Sequence, residues 1–269
     1  MPAIPPPPEV ELVVVEAPRL PPLGGEAVFS SRQIAADELK VAPRLDAALR
    51  QVPGVSLFRR TGSEAANPTI QGISLRGIAP SGAGRALVTL DGAPQNDPFG
   101  GWVIWSSLPP EGLAGIDVVR GAGAGAYGAG ALTGVVSLHE ASAPGGLSAL
   151  DLAAGDRGEA RAAAAFGTRG LLITALAETS NGYVPVRGAQ AGPADTRTDL
   201  QSESVAARLQ ARLADGATAA LRVGAYGERR GAGLKGARST ATGASAALTF
   251  AKAEPDGGWR LQAWVRESD

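Results

Sequence analysis

The chain has 269 residues, with 25 basic and 26 acidic side chains and a formal net charge of −1. That balance excludes the cationic field on which nucleic-acid binding depends. Zero cysteines and a single histidine, His139, exclude disulfides, thiolate and histidine-cluster metal sites, cysteine nucleophiles and any free choice of a Ser-His pair.

Met1–Pro5 carries no basic region, and no apolar run of roughly 7–15 residues follows it, so no signal peptide is visible. No run of about 18 apolar residues is present for a transmembrane helix. A chain lacking both is cytosolic by default, or else a fragment, a mature form or a chain whose start is misplaced. The length suggests about two domains.

Pro5 to Pro8 favour a stiff extended segment. The β-prone stretch Glu11-Leu12-Val13-Val14-Val15-Glu16-Ala17 follows, and Pro18, Pro21 and Pro22 close it off. Isolated between prolines, it reads as a disordered tail or as a strand held ready for another protein's sheet edge. Ser31 suits the cap of a helix over Arg32–Lys40. A second helix is predicted over Arg44–Val52, where Leu45, Ala48, Leu49 and Val52 share one face and Pro53-Gly54 ends the run. Short strands between turns follow at Thr69–Arg76, Arg85–Asp91, Gly115–Arg120 and Thr133–Leu138. Together these describe an α+β domain.

Two segments here have the composition of binding loops. Gly123-Ala124-Gly125-Ala126-Tyr127-Gly128 matches the dinucleotide-binding pattern G-x-G-x-x-G, which would make the chain an NAD(P)-dependent oxidoreductase. The pattern requires a helix to open at this point. The chain instead continues into Thr133-Gly134-Val135-Val136, which favours a strand, so glycines packed against backbone are the better reading. The second segment, Gln95-Asn96-Asp97-Pro98-Phe99-Gly100-Gly101-Trp102 with Trp105 beyond, is polar and aromatic. It suits either recognition of a small polar ligand or a well-packed loop. His139 is read as a partner for nearby backbone. No catalytic constellation, metal site or cofactor is expected.

After Pro144-Gly145-Gly146 the pattern changes to alternation of apolar and polar residues. Val205, Ala207, Leu209, Ala211 and Leu213 oppose Ser204, Arg208, Gln210 and Arg212, and Trp259, Leu261, Ala263 and Val265 oppose Arg260, Gln262 and Arg266. A similar run covers Ala217–Tyr226, and weaker ones cover Leu147–Ala154, Glu159–Gly167, Leu171–Thr179 and Gly243–Lys252. The seven segments, roughly 8–11 residues each, approach the length that a tilted strand needs to cross a bilayer. Tight turns at Thr168-Arg169-Gly170, Ala214-Asp215-Gly216 and Glu254–Gly257 alternate with long polar loops at Ser180–Ser202 and Glu228–Thr242. A soluble β-sandwich also alternates, but faces of alanine, leucine and valine would fill its core poorly.

Residues from about 11 to 140 resemble the plug domain of TonB-dependent outer-membrane receptors. Glu11–Ala17 looks like a TonB box, and Val52-Pro53-Gly54-Val55 like the end of the plug's first helix. Leu75-Arg76-Gly77, Leu90-Asp91-Gly92-Ala93-Pro94, Val118-Val119-Arg120-Gly121, Ala126-Tyr127-Gly128 and Thr133-Gly134-Val135-Val136 follow in the family's order. The resemblance implies a periplasmic tail over residues 1–28 with its box at 11–17, a plug over 29–141 and the N-terminal part of an antiparallel transmembrane β-barrel over 146–269. The seven strands would belong to a family barrel of about 22, so the chain is expected to be truncated and unable to transport alone.

The same resemblance implies partners and sites. The box would pair with the TonB C-terminal domain by β-augmentation, lipid would surround the barrel, and a ferric siderophore or corrinoid would bind from outside the Gram-negative cell. Candidate ligand contacts are Arg59, Arg60, Asn67, Gln95, Asn96, Asp97, Phe99, Trp102 and Trp105. Arg76 and Arg120 are expected to pair with barrel glutamates. A signalling receptor of this architecture would need a further N-terminal domain, and a secreted adhesin would not need a TonB box.

Overall fold

The computed structural model describes residues 30–39, 41–57, 59, 61–77, 85–121, 127–128, 130–142, 146–254 and 257–269. The Glu11–Ala17 segment and the rest of the tail over residues 1–28, Arg60, Gly123 and Gly125 lie outside the described residues.

The first half contains β1 (Ser30–Ala35), α1 (Ala36–Leu39), α2 (Leu45–Arg50), β2 (Val55–Ser56), β3 (Ser74–Leu75), β4 (Leu87–Leu90), β5 (Ala93–Pro94), β6 (Leu113–Arg120) and β7 (Gly134–Glu140). Five strands form a mixed sheet in the order β1-β6-β7-β4-β5, with β4 and β7 parallel, and β2 pairs with β3 in a separate ribbon. The apolar stripe of α2 drives this assembly. Leu45, Leu49 and Val52 pack with Ile73, Leu75, Val88, Ile116, Val118 and Leu138 in one buried cluster, which removes from water the side chains that contribute most to folding.

Two expected elements are corrected. Residues 32–35 are strand, and only one helical turn follows. Ile34 pairs opposite Ile116 on β6 and is buried, so a tertiary ladder outweighs a modest helix propensity. The predicted strand over Thr69–Arg76 survives only as Ser74–Leu75. Pro68 opens a 3-10 turn whose Thr69 N–H donates to the Asn67 side chain, and this local bond competes with a ladder. The histidine expectation also changes, because His139 Nε2 lies 2.8 Å from Asp117 Oδ2 across the β6–β7 pair.

Asp91 (φ 46°) and Gly92 (φ 86°) join β4 to β5. Two left-handed residues in a two-residue hairpin make a type I′ turn. A Cβ on Gly92 would also stand 2.7 Å from Arg260 Nη2 and 2.9 Å from Gln262 Oε1. Gly92→Val is therefore expected to cost about 2–3 kcal/mol, combining left-handed strain with a clash. The measurement is the urea midpoint of the detergent-solubilised chain, and an unchanged midpoint would refute the assignment.

The second half is one antiparallel sheet in sequence order: β8 (Leu147–Ala154), β9 (Ala160–Thr168), β10 (Leu171–Ser180), β11 (Leu200–Arg212), β12 (Thr218–Gly231), β13 (Arg238–Glu254) and β14 (Gly257–Ser268). Among the described residues the sheet is unclosed, with β8 and β14 at its edges. β11 to β14 span 13, 14, 17 and 12 residues. The expected long loop Glu228–Thr242 is therefore mostly strand, and only residues 232–237 connect β12 to β13. The other long connection remains, over residues 181–199.

Which face of this sheet is covered decides between barrel and sandwich. Leu150, Leu152, Phe166, Val205, Leu209, Leu221, Leu261 and Val265 are exposed on one side. On the other, Thr174, Ser202, Ser204, Arg208 and Gln210 are buried, several of them bonded directly to the first half. A sandwich would bury the apolar face. This sheet turns its polar face inward and its apolar face out.

Candidate functional site

The polar side chains of the wall close onto the N-terminal domain in two tiers. At the end nearer the tight turns around Gly170 and Gly216, the hub is Asp91. Its turn is fixed internally, because Asp91 N donates to Leu138 O at 2.9 Å and Asp91 Oδ1 accepts from Glu140 N at 3.2 Å. Arg208 on β11 donates to Asp91 Oδ2 at 2.9 Å and to Ala141 O at 2.7 Å. From β14, Gln262 donates to Asp91 O at 3.0 Å and Arg260 donates to the same oxygen.

Glu140 stands beside this hub. It accepts from Arg222 Nε at 3.0 Å and lies 3.6 Å from Arg208. Burial pushes its carboxyl above the usual range, while Arg222 and Arg208 pull it back and Asp91 adds to the rise. Further round the wall, Arg161 bridges Asp151 at 2.5 Å and Glu111 at 2.7 Å.

The second tier lies toward the opposite end. Arg230 donates to Ser63 O at 2.9 Å and to Ala66 O, and holds Glu228 at 2.6 Å. Ser106 Oγ donates to Glu228 Oε2 at 2.7 Å, and Ser204 Oγ donates to Ser106 O at 3.1 Å. Arg44, just before α2, pairs with Glu178 on β10 at 2.5 Å. At the top of β14, Ser268 Oγ donates to Asp97 Oδ2 at 3.0 Å. These bonds place residues 61–67 and 95–102 at the same end as the long connection over residues 181–199.

A match to a known family accounts for the inner half of this arrangement. The model described as TonB-dependent Receptor Plug Domain matches residues 26–135. Those residues are a TonB-dependent receptor plug domain. The plug sits against an unclosed antiparallel sheet that shares its fold with receptor barrels, and its family is non-catalytic. The solved siderophore receptor PirA from Acinetobacter baumannii superposes with a TM-score of 0.66 at 20% identity, over 88% of this chain and 40% of that one. The copper transporter OprC gives 0.67 at 18%, over 88% and 37%. The ferric yersiniabactin uptake receptor FyuA from Yersinia pestis gives 0.62 at 16%, over 88% and 41%. At such identities the likeness concerns the fold, and the chain spans about two fifths of the length of these proteins. No curated protein sequence matches.

Several sequence-predicted site residues hold the plug together. Trp105 is 3% exposed and donates from its indole to Gln71 O at 2.9 Å, so it is a core residue. Arg59 is buried against Asp46 at 2.7 Å, and Asp46 also accepts from Ser63. Both are corrections, since neither presents its side chain to a ligand. Asn96 accepts from Val88 N and donates to Ala86 O and Gly101 O. Asn67 caps its 3-10 turn, and Gln95 is buried under Arg266, to which it offers its backbone oxygen at 2.6 Å.

The same bonds shape what remains free. Asp97 Oδ1 accepts from Phe99 N and Gly100 N, a turn that carries Phe99 to the tip with 95% of its surface exposed. Trp102 is half-buried at the base of this turn. Arg76 is exposed at φ 59°, its N–H donating to Gly54 O. Arg120 donates to Pro53 O and to Ser30 Oγ within the plug. Among the described residues, the ion pairs joining plug to wall therefore run through Arg44, Glu111, Asp91 and Glu140 instead of these two arginines.

Most of the glycine string lies outside the described residues, and close packing against backbone is seen beyond it, where β7 begins. Gly134 has φ 141°, and a Cβ there would stand 2.2 Å from Val119 O. The chain enters β7 at this residue, and Gly123 to Ala126, on which the dinucleotide reading rests, lie outside the described residues. The residues missed by sequence reasoning are Asp91 and Glu140 as acceptors and Arg208, Arg222, Arg260 and Arg266 as donors. Their signal was the run of arginines at alternate wall positions, which alternation assigns to a face without naming a partner.

Proposed function

We propose that this chain supplies the plug and leading wall strands of an outer-membrane receptor of a Gram-negative bacterium. The receptor takes up a large, scarce nutrient of the ferric siderophore or corrinoid class by coupling to TonB. One observation carries the reading: the seven-stranded sheet buries its polar face on the plug and exposes its apolar face. Apolar side chains outward suit lipid, and a polar lumen suits a solvated passage. The exposed Phe99 tip and the loops around it lie at the end of the wall where receptor loops would gather a ligand, leaving the tight-turn end toward the periplasm.

The Glu11–Ala17 segment supplies the coupling in this reading, adding as a strand to the edge of the TonB C-terminal domain. The test is binding of a peptide covering Pro8–Arg19 to that domain. Micromolar binding is expected, and Val14→Pro should abolish it by removing a ladder donor. Equal affinity for both peptides would overturn the box assignment.

A further inference from the structure

Counting the charges that the wall turns inward leaves a surplus. Among the described residues of β8 to β14, the register places Arg161, Arg208, Arg222, Arg230, Arg260 and Arg266 on the buried face, leaving aside Arg212, which shares that face but is exposed at the end of its strand. The wall carboxylates on that face are Asp151, Glu178 and Glu228, and each is taken: Asp151 by Arg161, Glu228 by Arg230 and Glu178 by the plug's Arg44. Four wall arginines have no wall carboxylate. Arg208 and Arg222 stand directly opposite one another on β11 and β12, a like-charge pair that is unfavourable unless an anion lies between them. The plug supplies that anion as Asp91 and Glu140.

Arg260 and Arg266 receive less. Arg260 is given the Asp91 carbonyl, and Arg266 the backbone and side-chain oxygens of Gln95. Four guanidinium charges therefore face three plug carboxylates, Asp91, Glu140 and, near Arg266, Asp97. Donors are also left over, since Arg208 Nε, Arg260 Nε and Gln210 Nε2 are buried without a hydrogen-bond partner. A gap of about 20 Å³ remains between plug and wall beside Arg222, Arg266, Gln95, Ser107 and Tyr226. Six residues separate Arg260 from Arg266 along β14, which is roughly 20 Å of strand rise. The arginines thus form a strip along the wall rather than a single point.

We propose that this strip is an anion lane, that Asp91 and Glu140 act on it as a built-in ligand of the resting plug, and that the nutrient moving past the wall is polyanionic. The proposal rests on the uptake reading and narrows it to an anionic metal chelate, whose negative groups replace Asp91 and Glu140 as the plug rearranges. Asp91 binds through its carboxylate and its backbone oxygen, so removing its charge leaves the hairpin in place but frees the lane.

The experiment titrates pyrophosphate, as a polyanion probe, into the detergent-solubilised chain by calorimetry at constant ionic strength. Asp91→Asn is expected to bind at least tenfold more tightly than the unaltered chain, with Glu140→Gln as an independent second variant. Adding Arg260→Gln and Arg266→Gln to either should remove the gain. Far-UV circular dichroism identifies any variant that fails to fold, and the other then carries the test. Equal affinity before and after loss of the plug carboxylates, or a gain that survives loss of both arginines, overturns the lane. Neither result bears on coupling to TonB, which the peptide measurement tests separately.

Discussion

Replacing Arg208 with Met is expected to destabilise the association of plug and wall by about 3–5 kcal/mol, the usual consequence of leaving one member of a buried ion pair alone. Arg208 is itself buried, and it neutralises Asp91, approaches Glu140 and satisfies Ala141 O. Met keeps most of the side-chain volume, so the loss would come from charge and hydrogen bonds. The same principle predicts recovery when the orphaned partner is neutralised. Asn tolerates the left-handed backbone of Asp91 and retains an oxygen to accept from Glu140 N. Arg208→Met with Asp91→Asn should therefore regain 1 kcal/mol or more (about, by the usual range for coupled neighbours). Urea unfolding of the two single variants and the double variant closes the cycle. A coupling near zero would remove Asp91 from its place as the hub.

The second large effect is in the plug core. Trp105→Ala should cost about 3–5 kcal/mol, the range for deleting a buried large aromatic. The substitution also leaves Gln71 O without the indole donor that now reaches it. Near-UV circular dichroism through a urea titration reports this directly. A loss below about 1 kcal/mol would mean that Trp105 is not packed as described. By contrast, Phe99 is almost wholly exposed and contributes no comparable burial, so the two aromatics of one loop segment separate into a core residue and a tip.

That separation shows why the site was only half legible. Gln95 to Trp105 announces itself as a polar and aromatic loop, but residue type does not say which side chains point into the plug. Asn96 and Asp97 look like recognition groups in sequence. In the fold, Asn96 satisfies Val88 N, Ala86 O and Gly101 O, and Asp97 builds the turn beneath Phe99. Short polar side chains bond first to nearby backbone, and that preference is invisible until the chain's path is known. Arg59 is a similar case, because its partner Asp46 comes from α2.

Helix and strand assignments divided on the same ground. Period-3.6 spacing located α2 and period-2 alternation located all seven wall strands, since a repeated apolar face is a property of the chain itself. Residues 32–35 and 69–73 carry no such repeat. Their conformations were set by pairing with β6 in one case and by the Asn67–Pro68 turn in the other.

From the residues alone came a plug-like α+β domain, a two-faced sheet, the Asp91-Gly92 turn and the absence of cysteine chemistry, because periodicity, turn residues and composition are local. Only the tertiary structure decided that the polar face is the buried one, that Arg208 and Arg222 converge on Asp91 and Glu140, and that Arg120 stays within the plug. Ion pairs between residues more than a hundred positions apart depend on register and on which surfaces meet, and no local pattern encodes either.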